Sequence, residues 1–229
     1  EQGRLSEAVP LEEEALSIRR SGYEAEPKRW AEDYGTSLNN LAYTYNVQGR
    51  ISEAVPLEEE ALSIRRSGYE AEPERWAEDY ETSLHNLAVT LENLGQIRDV
   101  LSLWRETKTL AAGSALPTER RLSLSVEAMI MIARLLRQLG EHGNALDELN
   151  ECEPVLVDME RQGHPESTYL RGRWLIVQAK TLFESGDVDG AKAVVAKAEK
   201  QIRDEALEDL VDALDSVKED IRKAEASGS

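Results

Sequence analysis

The stretch SEAVPLEEEALSIRRSGYEAEP occupies Ser6–Pro27 and recurs, letter for letter, at Ser52–Pro73. Aligning Gly3–Gln48 with Gly49–Leu94 leaves nine differences in 46 positions. The period then continues through glycines alone: Gly3, Gly49, Gly95, Gly140 and Gly186 are separated by 46, 46, 45 and 46 residues. A fixed period of this size marks stacked supersecondary units, each of which can bury its apolar face only against its neighbours.

Inside the unit the pattern is helical. Leu57, Ala61, Leu62 and Ile64 fall on one side, and Glu58, Glu59, Glu60 and Arg65 on the other. No sustained period-two alternation argues for strands. Ser52 is placed to cap a helix, with Glu53 suited to its positive end. Pro56 lies near the first turn, where it removes at most one backbone hydrogen bond. Gly68 reads as the stop of that helix and Pro73 as the start of the next. Each unit is therefore expected to be two antiparallel helices, with a tight turn at the repeat glycine and a longer link around SGYEAEP. The expected helices are 5–21, 28–48, 51–67, 74–94, 97–112, 118–139, 142–162, 166–185, 187–203 and 205–225.

The run LNNLAYTYNVQGRISEAVPLEEEALSI (Leu38–Ile64) resembles the tetratricopeptide repeat, in the long-linker form of kinesin light chains and many bacterial arrays. The matching positions are Leu41, Ala42, Tyr45, Gly49, Ile51, Ala54, Ala61 and Leu62. Later units match more loosely, through Leu87, Ala88, Leu91 and Gly95, then Ile132, Ala133, Leu136 and Gly140, then Ala179, Leu182, Gly186 and Ala191. The resemblance implies an all-α, right-handed superhelical solenoid of helical hairpins. It also implies a protein- or peptide-binding scaffold without catalysis, whose concave surface is lined by the first helix of each pair. The expected divisions are a truncated repeat with its link at 1–27, repeats at 28–73, 74–117, 118–165 and 166–204, and a capping helix with its tail at 205–229, all in one continuous domain. The cap is read from Leu207, Leu210, Val211, Leu214, Val217 and Ile221, which form a single apolar stripe. Val100 and Thr107 stand where the repeat wants smaller or apolar residues, so looser packing is expected in LSLWRETKTLAAGSALPTERR.

The chain opens at the glycine turn of a unit, so the first unit holds its second helix but not its first. Leu5, Ala8, Leu11, Ala15 and Ile18 are then expected to face something the sequence does not contain. The sequence reads as a fragment of a longer array, with self-association through the open N-terminal end as a further possibility.

The differences between the twin units are confined in place. Eight of the nine lie in 28–48 and its counterpart, and only Leu5/Ile51 falls elsewhere. Gly35/Glu81, Asn39/His85 and Tyr43/Val89 are spaced by four, so they share one helix face. Under the family register Asn39, Asn40, Tyr43, Asn46 and Val47 line the concave surface, with His85 and Asn86 in the next unit. Glu127, Ile130, Met131, Arg134, Arg137, Arg173, Ile176, Val177 and Lys180 follow. Asn amides both donate and accept, which suits an extended peptide backbone. Arg134, Arg137, Arg173 and Lys180 suit carboxylates. These residues predict a groove for an extended, partly acidic segment, with pairing to neighbouring Glu and Asp as the competing role of the basic set.

Other chemistry is poorly supported. The net charge is 27 − 45 = −18, which repels phosphate backbones and argues against nucleic acid. No apolar run approaches the ~20 residues of a membrane span, and no cofactor motif occurs. Cys152 is the single cysteine, which fits a reducing, cytoplasmic setting, and it reads as a core filler. His85, His142 and His164 lack metal-ligand spacing. SGDVDG (Ser185–Gly190) fits three places of a calcium loop, but Ser185 and Ala196 fail the first and twelfth. The triplets Glu12–Glu14 and Glu58–Glu60 read as a solvated face. Trp30, Trp76, Tyr34 and Tyr80 read as residues that pack the links. The leading reading is a protein-interaction scaffold and not an enzyme. The alternatives are the sensing arm of a larger ATPase or protease, and a self-assembling structural array.

Overall fold

The computed structural model describes residues 2–227, with side chains from 8 to 226. The chain is all α, with helices α1 (Gln2–Ala25), α2 (Pro27–Val47), α3 (Ile51–Ala71), α4 (Pro73–Asn93), α5 (Ile97–Ala112), α6 (Thr118–Gln138), α7 (His142–Arg161), α8 (Ser167–Glu184), α9 (Val188–Asp204) and α10 (Val211–Ser227), and no strand occurs among the described residues. They divide into two compact units, Glu1–Leu116 and Pro117–Ser229. In the first unit α1 packs on α2, α2 on α3, α3 on α4 and α4 on α5. In the second α6 packs on α7 and α8, α8 on α9, and α10 lies against α8 and α9. Among the described residues, no helix is long and apolar enough to cross a membrane.

The repeat glycines act where the period places them. Gly49, Gly95, Gly140 and Gly186 have φ of 75°, 71°, 78° and 93°, the left-handed region that a Cβ disfavours. Each sits in a Schellman turn, where the following N–H reaches back five residues: Arg50 to Tyr45 O at 2.8 Å, Gln96 to Leu91 O at 3.0 Å, Glu141 to Leu136 O at 2.9 Å and Asp187 to Leu182 O at 2.9 Å. Gly163 makes a fifth such turn, with φ 69° and His164 N bonded to Met159 O at 2.9 Å. Ala206 makes a sixth without a glycine, at φ 52°, with Leu207 N bonded to Ile202 O at 3.0 Å.

Several local expectations fail. Gly68 does not stop α3, which runs on to Ala71 and leaves Glu72 alone between α3 and α4. The glycine has a different use. A Cβ at Gly68 would collide with the Trp76 indole, so the missing side chain lets the ring lie on the helix backbone. Gly22 and Trp30 repeat the arrangement, and Tyr69 stacks on Tyr80 with ring centres 5.0 Å apart, as Tyr23 does on Tyr34 at 5.2 Å. The tryptophans and tyrosines therefore do pack the links. Ser52 is not a cap. The Schellman turn hands the chain straight to Ile51, so Arg50 holds the N-cap place without a capping bond. Gly3 lies inside α1 rather than at a turn.

The stretch expected to pack loosely does not. α5 is a regular helix, Val100 and Thr107 are buried, and the Thr107 hydroxyl donates to Leu103 O at 3.0 Å within the helix. The last helix begins later than read: Glu208–Leu210 form a 3₁₀ turn before α10. Leu210, Leu214, Val217 and Ile221 are buried along it, whereas Val211 is exposed. Gly172 in α8 makes room for this segment, since a Cβ there would stand 2.6 Å from Leu210 Cδ1. Asp187 is engaged as the N-cap of α9, accepting from Gly190 N at 2.9 Å, which is ordinary capping rather than a cation loop. Cys152 is fully buried.

Candidate protein-interaction face

The exposed residues of α2 recur as a helical stripe, Thr36, Asn40, Tyr43 and Val47, and those of α4 as Thr82, His85, Val89 and Asn93. The two stripes belong to neighbouring helices. Asn39 Nδ2 of α2 approaches Ser83 Oγ of α4 at 3.5 Å, and Asn46 Nδ2 donates to Thr90 Oγ1 of α4 at 2.8 Å. Tyr43, Val47 and Val89 are 67%, 50% and 46% exposed, so three large apolar groups stand on one face without cover among the described residues. Asn40 and His85 are exposed beside them and Asn86 is half-buried. The His85 ring also meets the Trp104 indole edge-on, with centres 6.1 Å apart.

Beneath this face the helices are clamped by buried polar groups, among them Glu58 of the triplet expected on a solvated face. Glu58 of α3 is only 3% exposed. Its Oε1 accepts from Asn46 Nδ2 and from the Thr90 hydroxyl, each at 3.0 Å, and so ties α2, α3 and α4 together. Burial pushes the Glu58 carboxyl above the ordinary carboxylate range, and the bonds from Thr90 and Asn46 oppose that shift. Asn46 is thus half-buried and engaged in this clamp. Arg65 is likewise buried, donating to Ser83 Oγ at 2.9 Å and Asp79 O at 3.2 Å. Burial lowers its pKa, against the pull of Asp79 and Glu32.

A second clamp recurs with the period. Arg20 Nε donates to the Tyr34 hydroxyl at 2.6 Å, Tyr34 donates to Glu60 Oε1 at 2.6 Å, and Arg20 Nη2 reaches Glu60 Oε2 at 3.1 Å. One repeat later Arg66 forks onto Glu106 at 2.7 and 2.9 Å, and the Tyr80 hydroxyl donates to the same carboxylate. Burial, reinforced by the bond to Glu106, leaves the Tyr80 phenol pushed up to about 12. Glu60 is therefore another member of the triplet that is not simply solvated.

In the second unit α6 and α8 carry the basic residues. Arg137 pairs with Glu184 at 2.6 Å, Arg173 with Glu127 at 3.3 Å and Lys180 with Asp220 at 3.8 Å. Arg173 also donates to Met131 Sδ at 3.3 Å and lies over the Tyr169 ring. Arg134 is half-buried on the same helix as Arg137. Ile130 and Ile176, assigned by register to the inner surface, are buried, while Met131 and Val177 are half-buried. The basic set of this unit is largely matched by its own carboxylates. The structure thus places Asn39, Asn40, Tyr43, Asn46, His85 and Asn86 on the α2/α4 face of the first unit, and Arg134, Arg137, Arg173 and Lys180 on α6 and α8 of the second.

His164 illustrates a role that spacing alone did not reveal. Its Nδ1 accepts from Glu166 N at 3.2 Å, which leaves Nε2 as the donor to Glu119 O at 3.1 Å and joins the end of α7 to the start of α6.

Residues 35–72 match the tetratricopeptide repeat family model. The chain has the fold of solved repeat proteins of the kinesin light chain type. Against the kinesin light chain nearly identical TPR-like repeats of Podosopora anserina, in a singly substituted form, the TM-score is 0.65 at 20% identity, covering 90% of both chains. BtubC (BKLC) from P. vanneervenii matches with a TM-score of 0.61 at 16% identity, over 97% of this chain and 87% of that one. The apo form of RapI matches with 0.59 at 15% identity, over 93% and 77%. No curated protein matches the chain by sequence. Repeats of this kind generally serve as protein-interaction scaffolds and not as enzymes.

Proposed function

We propose that the chain binds a partner polypeptide on the α2/α4 face of its first unit, as a scaffold without catalysis of its own. The observation that carries this reading is the group of Tyr43, Val47 and Val89, the exposed apolar side chains of that face. Scattered surface leucines need no explanation, whereas an aromatic and two valines exposed together on one two-helix face support a contact surface there. Asn40 and Asn86 on either helix supply paired donors and acceptors for an extended backbone. The helices beneath are held in register by Asn46, Glu58 and Thr90, so the face is preorganised and a ligand does not have to order it. The acidic character expected of the partner rests on Arg134, Arg137, Arg173 and Lys180. Since Arg137, Arg173 and Lys180 already hold carboxylates, apolar and amide contacts carry the proposal.

The test is selection of a displayed peptide library on the wild-type chain. Enriched peptides should lose about 30-fold in affinity on Tyr43→Ala, the effect of truncating an aromatic anchor, with the melting curve unchanged. They should lose comparably on Val89→Asp and be indifferent to Arg173→Glu. Peptides whose binding ignores both Tyr43→Ala and Val89→Asp would place the contact elsewhere and end the proposal.

A further inference from the structure

The duplicated segment allows one surface to be read twice. In α3, Ala54, Ala61 and Ile64 are buried in a cluster with Tyr34, Leu38, Leu41 and Ala42 of α2, and Leu57 packs against it. Glu60, beside them on the same helix, receives the Tyr34 hydroxyl and Arg20. This is the side of α3 that faces α2.

The identical residues of α1 are Ala8, Leu11, Glu14, Ala15 and Ile18. Here Leu11 is 69% and Ile18 60% exposed, where the twin Ile64 is 7% exposed. Ala8 and Ala15 are half-buried, where Ala54 and Ala61 are fully buried. Glu14 is exposed and has no hydrogen-bond or ion-pair partner among the described residues, whereas its counterparts Glu60 and Glu106 each hold an arginine and a tyrosine hydroxyl. The other side of α1 is filled: Val9 and Leu16 are buried against α2. So one sequence, in one kind of helix, has its apolar stripe covered in one copy and bare in the other.

We infer that the outward face of α1 is a docking surface for one further helical hairpin of this chain's own repeat type, which covers Leu11 and Ile18 and closes an arginine–tyrosine clamp on Glu14. The occupant's chemistry is specified by what sits on the identical surface of α3. It needs an apolar helix stripe like that of Leu38, Leu41 and Ala42, a tyrosine placed as Tyr34 is, and an arginine at the end of the preceding helix, as Arg20 is. Pairing of two α1 faces would meet the apolar requirement but would bring Glu14 no tyrosine. A generic amphipathic helix would lack both clamp donors. This surface is separate from the α2/α4 face, so its test does not depend on that partner.

The experiment adds one extra copy of Gly3–Gln48 ahead of Gly3 in the full chain, and follows amide exchange in residues 8–20 by mass spectrometry. Exchange there should slow by about a hundredfold relative to the parent, as expected when two large aliphatic side chains become buried. Glu14→Ala should give back part of that protection in the extended chain and change nothing in the parent. An added copy that exchanges like unfolded chain, with residues 8–20 no slower than in the parent, overturns the inference. So does a parent chain that dimerises in sedimentation and becomes monomeric on Leu11→Asp, since the occupant would then be a second copy.

Discussion

Glu58 offers a test of how this stack is held together. Its carboxylate lies between α2 and α4, with Oε1 accepting two hydrogen bonds and Oε2 buried without a partner among the described residues. An ionised carboxylate in that place bears a desolvation cost which two neutral donors on one oxygen only partly offset. Replacing it by glutamine keeps the shape and an acceptor at Oε1, and removes the charge. The glutamine amide leaves a buried polar group in the Oε2 place, so only the desolvation of the charge is relieved, and Glu58→Gln is expected to raise stability at pH 7 by about 1 kcal/mol, or roughly 0.5 M in the urea midpoint. The sign with pH follows from the raised folded pKa. The protonated carboxyl is the form the fold prefers, so its stabilisation is fully present below the ordinary value of 4.5. It is lost as pH rises through the raised folded value. The gain from Glu58→Gln should therefore vanish below pH 4.5 and be complete once the pH exceeds the raised folded value. Urea unfolding followed by far-ultraviolet circular dichroism, at several pH values for wild type, Glu58→Gln and Glu58→Ala, makes the measurement. Glu58→Ala should be destabilised throughout, because it leaves a void and removes the acceptor shared by Asn46 and Thr90. A glutamine variant as unstable as the alanine variant at pH 7, or a difference that does not change with pH, would refute the desolvation argument.

Gly68→Ala should cost about 1–3 kcal/mol, because the new methyl enters the Trp76 indole. Gly143→Ala is the control: nothing lies within 4 Å of its Cβ position, so thermal unfolding should show ~0.5–1 kcal/mol of stabilisation. At the turn before α10, Ala206 occupies the left-handed region at φ 52°. Relief of that strain, ~1–2 kcal/mol, outweighs the ~0.5–1 kcal/mol entropic cost of glycine, so Ala206→Gly should raise the melting temperature slightly.

The repeat, its all-α character and its turns were legible because their causes are local. A Schellman turn needs a residue at positive φ, glycine meets that need, and so Gly49, Gly95, Gly140 and Gly186 could be found by spacing alone. The apolar stripe of Leu57, Ala61, Leu62 and Ile64 needed only the period of a helix. The link-packing role of Trp76 was also readable from its recurrence. Gly68 misled because its signal, a missing side chain, has two physical uses. Only the presence of Trp76 against it shows that close approach, and not chain reversal, is the one in force.

Whether a given polar residue meets water is decided elsewhere. Sorting α3 by residue type puts Glu58, Glu60 and Arg65 in water, yet Glu58 and Arg65 are buried and Glu60 closes a clamp. At about 100° per residue Glu58 and Arg65 fall between Ala61 and Leu62, beside the apolar stripe. A projection shows one helix, whereas burial depends on how many helices meet at it, and α3 is enclosed by α2 and α4. The basic residues of α6 and α8 follow the same rule, since Glu184, Glu127 and Asp220 come from positions remote in sequence or on another helix. The amino-acid order by itself determined the period, the helices and the turns at Gly49, Gly95, Gly140 and Gly186, all set by interactions within a few residues. The tertiary structure alone decided which side chains are covered, because Ser6–Pro27 and Ser52–Pro73 are the same sequence and differ only in what packs against them.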